Sequence, residues 1–173
     1  ITIFLTFYIS KKSTSMRALI IIAVLCLLQS CGNKKVEIKN ENGKVTEVYY
    51  LNKKGEKDGK YQLLFDSGKI REESNYKDGQ LTGKRTLYFE NGNVEIEELY
   101  TDDGLLNGPY KSYYSDGTLQ LQKTYENNII TGTIKVYYPS GKIKEEVTIS
   151  ENEENGPFTE YYENGKIHWK GNY

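Results

Sequence analysis

From residue 43 to residue 173, short runs of alternating apolar and polar residues recur between regularly placed glycines. One series is Gly59, Gly83, Gly108, Gly132 and Gly156, at steps of 24, 25, 24 and 24. A second is Gly43, Gly68, Gly92, Gly117, Gly141 and Gly165, at steps of 25, 24, 25, 24 and 24. Five and six residues after the first series stand Leu64-Phe65, Tyr88-Phe89, Tyr113-Tyr114, Tyr137-Tyr138 and Tyr161-Tyr162. Two residues after the second series stand Val45, Ile70, Val94, Leu119, Ile143 and Ile167, and eight after it Tyr76, Tyr100, Tyr125, Ile149 and Tyr173. A register kept this long is the mark of tandem structural units.

An alternation of period two is that of a strand, whose successive side chains point to opposite faces. Each unit therefore reads as strand, tight turn, strand, looser turn. The tight turn falls on Gly68, Gly92, Gly117, Gly141 or Gly165. Each is preceded by Ser67, Asn91, Asp116, Ser140 or Asn164, dipeptides suited to two-residue hairpin turns with positive φ. Lys77-Asp78-Gly79 and Thr101-Asp102-Asp103-Gly104 mark the looser turns, the extra Asp accounting for the 25-residue step between Gly83 and Gly108. Tyr61, Leu63 and Phe65 share one face, Leu64 the other, so each adjacent pair sends one ring to each side. The expected fold is all-β: an elongated, twisted antiparallel meander of about five hairpin repeats, advancing about 10 Å per hairpin. Residues 42–58 read as a degenerate first half-repeat. The rings of Tyr88, Tyr113, Tyr137 and Tyr161 form a ladder that fills a thin core or stacks a ligand, and Trp169 caps its open end.

Ahead of the repeats the pattern changes. Met16-Arg17, the apolar run Ala18 to Leu28, and Leu28-Gln29-Ser30-Cys31 make a secretory signal, with an apolar stretch too short to span a bilayer as a helix. Residues 16–30 are read as that signal, in helical form, and residues 31–42 as a polar tether before the repeat domain of 43–173. Residues 1–15, which begin with Ile1, are read as an over-extended reading frame preceding a start at Met16. Leu28-Gln29-Ser30-Cys31 resembles the lipobox of bacterial lipoproteins, which implies acylation of Cys31. Stable anchoring takes two or more acyl chains, as such a modification supplies. The expected location is the outer membrane, facing the periplasm.

Composition narrows the chemistry. The chain has 23 basic and 24 acidic residues, 16 Tyr and only 3 Pro. The charges are balanced and unclustered, so nucleic acid is not an expected partner. The aromatic content argues against disorder. Both cysteines, Cys26 and Cys31, fall at the signal, which leaves none downstream for a disulfide, a metal or a nucleophile.

The unit Gly156-Pro157-Phe158-Thr159-Glu160-Tyr161-Tyr162-Glu163-Asn164-Gly165-Lys166-Ile167 resembles the MORN repeat variant, in the bacterial branch labelled YwqK-type toxin–antitoxin antitoxins. Arg85 stands where that pattern has an aromatic or aliphatic residue. The resemblance implies an interaction or scaffolding surface with lipid or protein partners, and its label implies a neutralising partner of a toxin. The expected function is a non-catalytic protein-binding or scaffold lipoprotein of the cell envelope. Two alternatives stand beside it: a carbohydrate- or peptidoglycan-binding module using the Tyr rows, and an immunity protein.

No catalytic residue, metal ligand or cofactor site is nominated. Glu72-Glu73, Glu97-Glu98 and Glu145-Glu146 are paired acids, but neighbours on a strand point apart, so they read as a solvated edge rather than a hydrolytic pair. Asp102-Asp103 reads as a turn rather than a calcium loop. The single histidine, His168, occupies the offset held by Arg71, Glu95, Gln120 and Lys144, which marks it as an exposed polar position.

Overall fold

A computed structural model describes residues 32–150 and 153–173. The signal at 16–30, the lipidation site Cys31 and the extension at 1–15 lie outside the described residues. Twelve strands follow one another: β1 Lys34–Lys39, β2 Val45–Leu51, β3 Gly59–Leu64, β4 Ile70–Lys77, β5 Gln80–Tyr88, β6 Val94–Tyr100, β7 Gly108–Tyr113, β8 Leu119–Glu126, β9 Ile129–Tyr137, β10 Ile143–Ser150, β11 Glu153–Tyr161 and β12 Ile167–Asn172. They form one antiparallel sheet in sequence order, with β1 and β12 at its edges. The sheet is open, a meander of six hairpins.

The first hairpin corrects two sequence expectations. Residues 34–39, read as part of a polar tether, are strand β1, paired with β2 from Lys34↔Leu51 to Lys39↔Val45. The segment read as a half-repeat is thus the second strand of a full hairpin. Its Val36 and Ile38 alternate with charged residues, a half-buried strand pattern that the density of lysine obscures.

The turns are also distributed differently from expectation. In each repeat hairpin the loop holds three residues. Phe65 donates its N–H to the Lys69 carbonyl and accepts from Gly68 N–H, at 2.9 and 2.8 Å, and the same pair of bonds recurs at Phe89, Tyr114, Tyr138 and Tyr162. Only the glycine takes positive φ, +84° at Gly68, as in loops that end a type I turn with one left-handed residue. The residue before the glycine acts through its side chain. Asn91, Asp116 and Asn164 each accept from the N–H two residues on, bridging the glycine. The two-residue turns lie between hairpins instead. Asp78-Gly79 has φ of 47° and 83°, and Asn127-Asn128 has 51° and 70°, the type I′ signature. Gly79 and Asn128 donate N–H to the carbonyls of Lys57 and Leu106, so each tight link docks on the looser link before it.

A bulge recurs in every hairpin. One residue of the second strand has no partner across the pair: Thr46, Arg71, Glu95, Gln120, Lys144 and His168. Each follows the turn glycine by three residues. The insertion resets the alternation, which fixes the faces of everything downstream.

Burial is thin. Among the described residues, Val147 and Ile149 are the buried apolar side chains, and Ser74 and Thr86 the buried polar ones. A single sheet has no second layer to cover it, so stability rests on ladder hydrogen bonds and cross-strand pairs.

Candidate functional site

The pairing gives the sheet two chemically distinct faces. On one, three Lys–Glu–Tyr sets recur, with their carboxylates on β4, β6 and β10. Tyr113 donates its hydroxyl to Glu97 at 2.9 Å, Tyr161 to Glu146 at 3.0 Å, and Tyr88 to Glu73 at 3.5 Å. The same carboxylates are ion-paired to Lys84, to Lys135 at 2.7 Å and to Lys60 at 2.8 Å. The hydrogen bonds from those lysines hold Glu73, Glu97 and Glu146 below the usual carboxylate range. Burial, then the bond to Glu97, pushes the Tyr113 hydroxyl up to about 12. Exposed ion pairs of this kind contribute about 0–1 kcal/mol each, so the array shapes a surface more than it stabilises the fold.

The opposite face carries the aromatic row. Tyr76, Tyr100, Tyr125 and Ile149 lie directly across from Gly59, Gly83, Gly108 and Gly132. Cations are threaded between the rings. Lys57 Nζ lies 4.8, 4.2 and 5.3 Å from the ring centres of Tyr49, Tyr61 and Tyr76, and 3.1 Å from Glu47. Lys123 Nζ lies 4.7 and 5.0 Å from the rings of Tyr110 and Tyr125. Between them Arg85 makes two 2.9 Å bonds to Glu72 and one of 2.9 Å to Glu98. Burial alone would raise the Glu72 pKa; the bonds and charge of Arg85 reverse it, and the carboxyl titrates below its ordinary value. Tyr100, half-buried and donating to Glu98 at 2.9 Å, is pushed up to about 12 by burial first and then by that bond. At the far end Phe158 stacks on Trp169 with centroids 6.0 Å apart and planes 16° apart. Beneath that ring lies Gly171, where a Cβ would come within 2.7 Å of Phe158.

The structure sorts the sequence candidates accordingly. Tyr88, Tyr113 and Tyr161 join the charged face, and Tyr137 occupies the equivalent strand position. Trp169 stands apart from them: it pairs with Glu160 and belongs to the aromatic face. The paired acids split as alternation requires, Glu73 and Glu97 to one side, Glu72 and Glu98 to the other. His168 lies 3.2 Å from Glu160 and its ring centre 4.3 Å from that of Tyr162. Asp102 sits in its turn, bonded to Lys77 and Thr82. Among the described residues no group of three or more His, Cys, Asp or Glu is placed to hold a metal ion.

Two features were not foreseen. The cations Lys57, Arg85 and Lys123 occupy irregular offsets, and only the substitution at Arg85 signalled one of them. The bulge column was visible as a shared polar offset, but alternation alone gives no sign of an extra residue. The second ring of each pair lies on the aromatic face beside it: Arg71 sits over Phe65 at 5.8 Å, and His168 over Tyr162.

Together the open single-layer sheet, its stacked turns and its repeated two-faced surface define an all-β tandem-repeat protein. Its repeats are those of a known family. The MORN repeat variant matches residues 57–78, 81–102, 106–127, 130–150 and 154–173, and the chain belongs to that family. The five matched segments follow the hairpins from β3–β4 to β11–β12, and the hairpin β1–β2 precedes them. MORN repeats form a non-enzymatic family, generally of protein- or membrane-binding modules. No curated protein matches the chain.

Proposed function

We propose that this chain is a non-catalytic protein-binding or scaffold lipoprotein of the bacterial cell envelope, anchored through acyl chains on Cys31 and recruiting a protein partner on its charged face. The observation that carries the reading is the recurrence of Lys60–Glu73–Tyr88, Lys84–Glu97–Tyr113 and Lys135–Glu146–Tyr161 on one side of a continuous sheet. Tyrosines are favoured anchors at protein interfaces, and charges of fixed pattern select the partner and orient its approach. The signal pattern and the lipobox-like stretch at residues 16–31 support export and membrane attachment, and the location proposed is the outer membrane, facing the periplasm.

The test is affinity capture from membranes with the full chain and with a K60E/K84E/K135E variant of unchanged circular dichroism. A defined partner that the wild-type chain captures and the variant loses supports the reading. Equal capture by both contradicts it. Incorporation of labelled fatty acid that persists in Cys31→Ser would remove the anchor.

A further inference from the structure

On the aromatic face, between the third and fourth hairpins, lies a depression of about 460 Å³. It is lined by the aromatic residues Phe89, Tyr110 and Tyr114 and the polar residues Glu95, Ser112 and Gln120, among others. We propose that this depression is a subsite for a β-1,4-linked glycan lying across the strands. The site is independent of the protein-recruiting role, which uses the other face.

The chemistry of the lining selects the occupant. Rings present an electron-rich face, to which the polarised C–H groups of a sugar are attracted. Sugar hydroxyls each donate and accept, so a sugar site needs both kinds of group close to the rings. Glu95 accepts, and Ser112 and Gln120 do both. Among the described residues Glu95 makes no hydrogen bond or ion pair, and Ser112 reaches Gln120 only at 3.5 Å. This polar capacity is available to a ligand. The Tyr114 hydroxyl is already held by the Tyr137 carbonyl at 2.8 Å, which fixes the ring edge. The volume suits a small-molecule subsite, whereas an apolar helix would bury Glu95 unpaired. A phosphate or acidic peptide would meet the Glu95 carboxylate as the charge nearest the floor.

The repeat supplies the rest of the track. Phe65, Phe89, Tyr114 and Tyr138 succeed one another at two-strand intervals, about 10 Å apart, the same step as two β-1,4-linked rings. Beside each ring stands a bulge residue, in the order Arg71, Glu95, Gln120, Lys144. This column changes chemistry from hairpin to hairpin while the rings persist, which suits it to set specificity along a polymer.

Isothermal titration of the full chain with chitohexaose, with cellohexaose and with solubilised peptidoglycan fragments tests the site and separates the sources of such a glycan. Saturable binding of at least one is expected, weakened tenfold or more by Glu95→Ala or Gln120→Ala at unchanged circular dichroism. Thr133→Ala, on the other face, is expected to leave it unchanged. Absence of binding to all three, or binding that neither substitution weakens, would overturn the proposal. So would binding of all three that phosphatidylglycerol vesicles displace.

Discussion

The hydroxyl of Tyr114 donates a 2.8 Å hydrogen bond to the carbonyl of Tyr137, one repeat further along the chain. Tyr138 does the same to Tyr161 at 2.7 Å. A side chain at the end of one hairpin thus reads the backbone of the next, which couples neighbouring units that share little buried apolar surface. The loop edge is coupled similarly. Lys44, Lys69 and Lys142 extend their ammonium groups to the carbonyls of Asp66, Glu90 and Glu163 in the following loops, and Asn93 reaches Ser115.

This coupling has a direct consequence for mutants. Tyr114→Phe and Tyr138→Phe each remove one side chain–backbone bond and are expected to destabilise the chain by about 0.5–1.5 kcal/mol. Phe89 occupies the same column without a hydroxyl, so Phe89→Tyr is expected to stabilise by part of that amount through the Tyr113 carbonyl. Denaturant midpoints at constant slope measure both. An unchanged midpoint in Tyr114→Phe would contradict the coupling.

Arg85 is expected to govern acid behaviour. Glu72 titrates low in the folded chain, so its contribution is present above the ordinary carboxylate value of about 4.3 and is lost as pH falls through the folded value. Arg85→Met removes the largest lowering influences, leaving burial, which raises the folded pKa, opposed only by the Ser74 hydrogen bond and the Lys57 charge. The variant is expected to lose stability at pH 7 near the low end of about 3–5 kcal/mol. The gap to wild type should narrow as pH falls through the folded Glu72 value and the carboxylate that Arg85 compensates is neutralised. A gap independent of pH would show that Arg85 acts by packing alone.

Tyrosine titration reports on both faces. Tyr100 and Tyr113 are each pushed up to about 12, by burial first and then by donation to a carboxylate. A raised folded pKa gives stability that is complete below the unfolded value of about 10 and disappears as pH rises through the folded one. Ultraviolet difference titration should therefore show a late tyrosinate class, and unfolding should accompany its ionisation between about pH 10 and 12. Replacing Tyr113 with Phe should diminish that class.

Gly68 tests the turn in isolation. It has φ of +84°, and a Cβ there would meet nothing within 4 Å. Gly68→Ala is therefore expected to cost about 1–2 kcal/mol through the backbone alone. Gly68→Asn should cost less, because Asn tolerates the left-handed region better than Ala. Equal losses for both would implicate contacts rather than φ.

The period of 24 and 25 residues made the fold class legible, because glycine and ring positions repeat even where the residues between them vary. Alternation assigned Tyr61 and Leu63 to one face and Leu64 to the other, as the pairing shows. The turn class was less legible. Asn91-Gly92 suits a two-residue turn, yet the Asn91 side chain bridges the glycine to the Asn93 N–H in a three-residue loop. Asn127-Asn128 forms its type I′ turn without the glycine that usually marks one. Strand β1 was hidden because four of its six residues are charged. The depression depends on the bulge at Glu95 and Gln120, an extra residue that leaves the count of each repeat unaltered.

The most direct test of the open meander uses its loop row. Residues 32–173 hold no cysteine, so spin labels can be placed at Asp66 paired with Glu90, Ser115 or Glu163 in a Cys26→Ser/Cys31→Ser background. These pairs stand one, two and four hairpins apart, and electron–electron double resonance should return distances rising by about 10 Å per hairpin. A distance from Asp66 to Glu163 no longer than that to Ser115 would mean that the sheet closes or folds back, and the long two-faced surface would not exist.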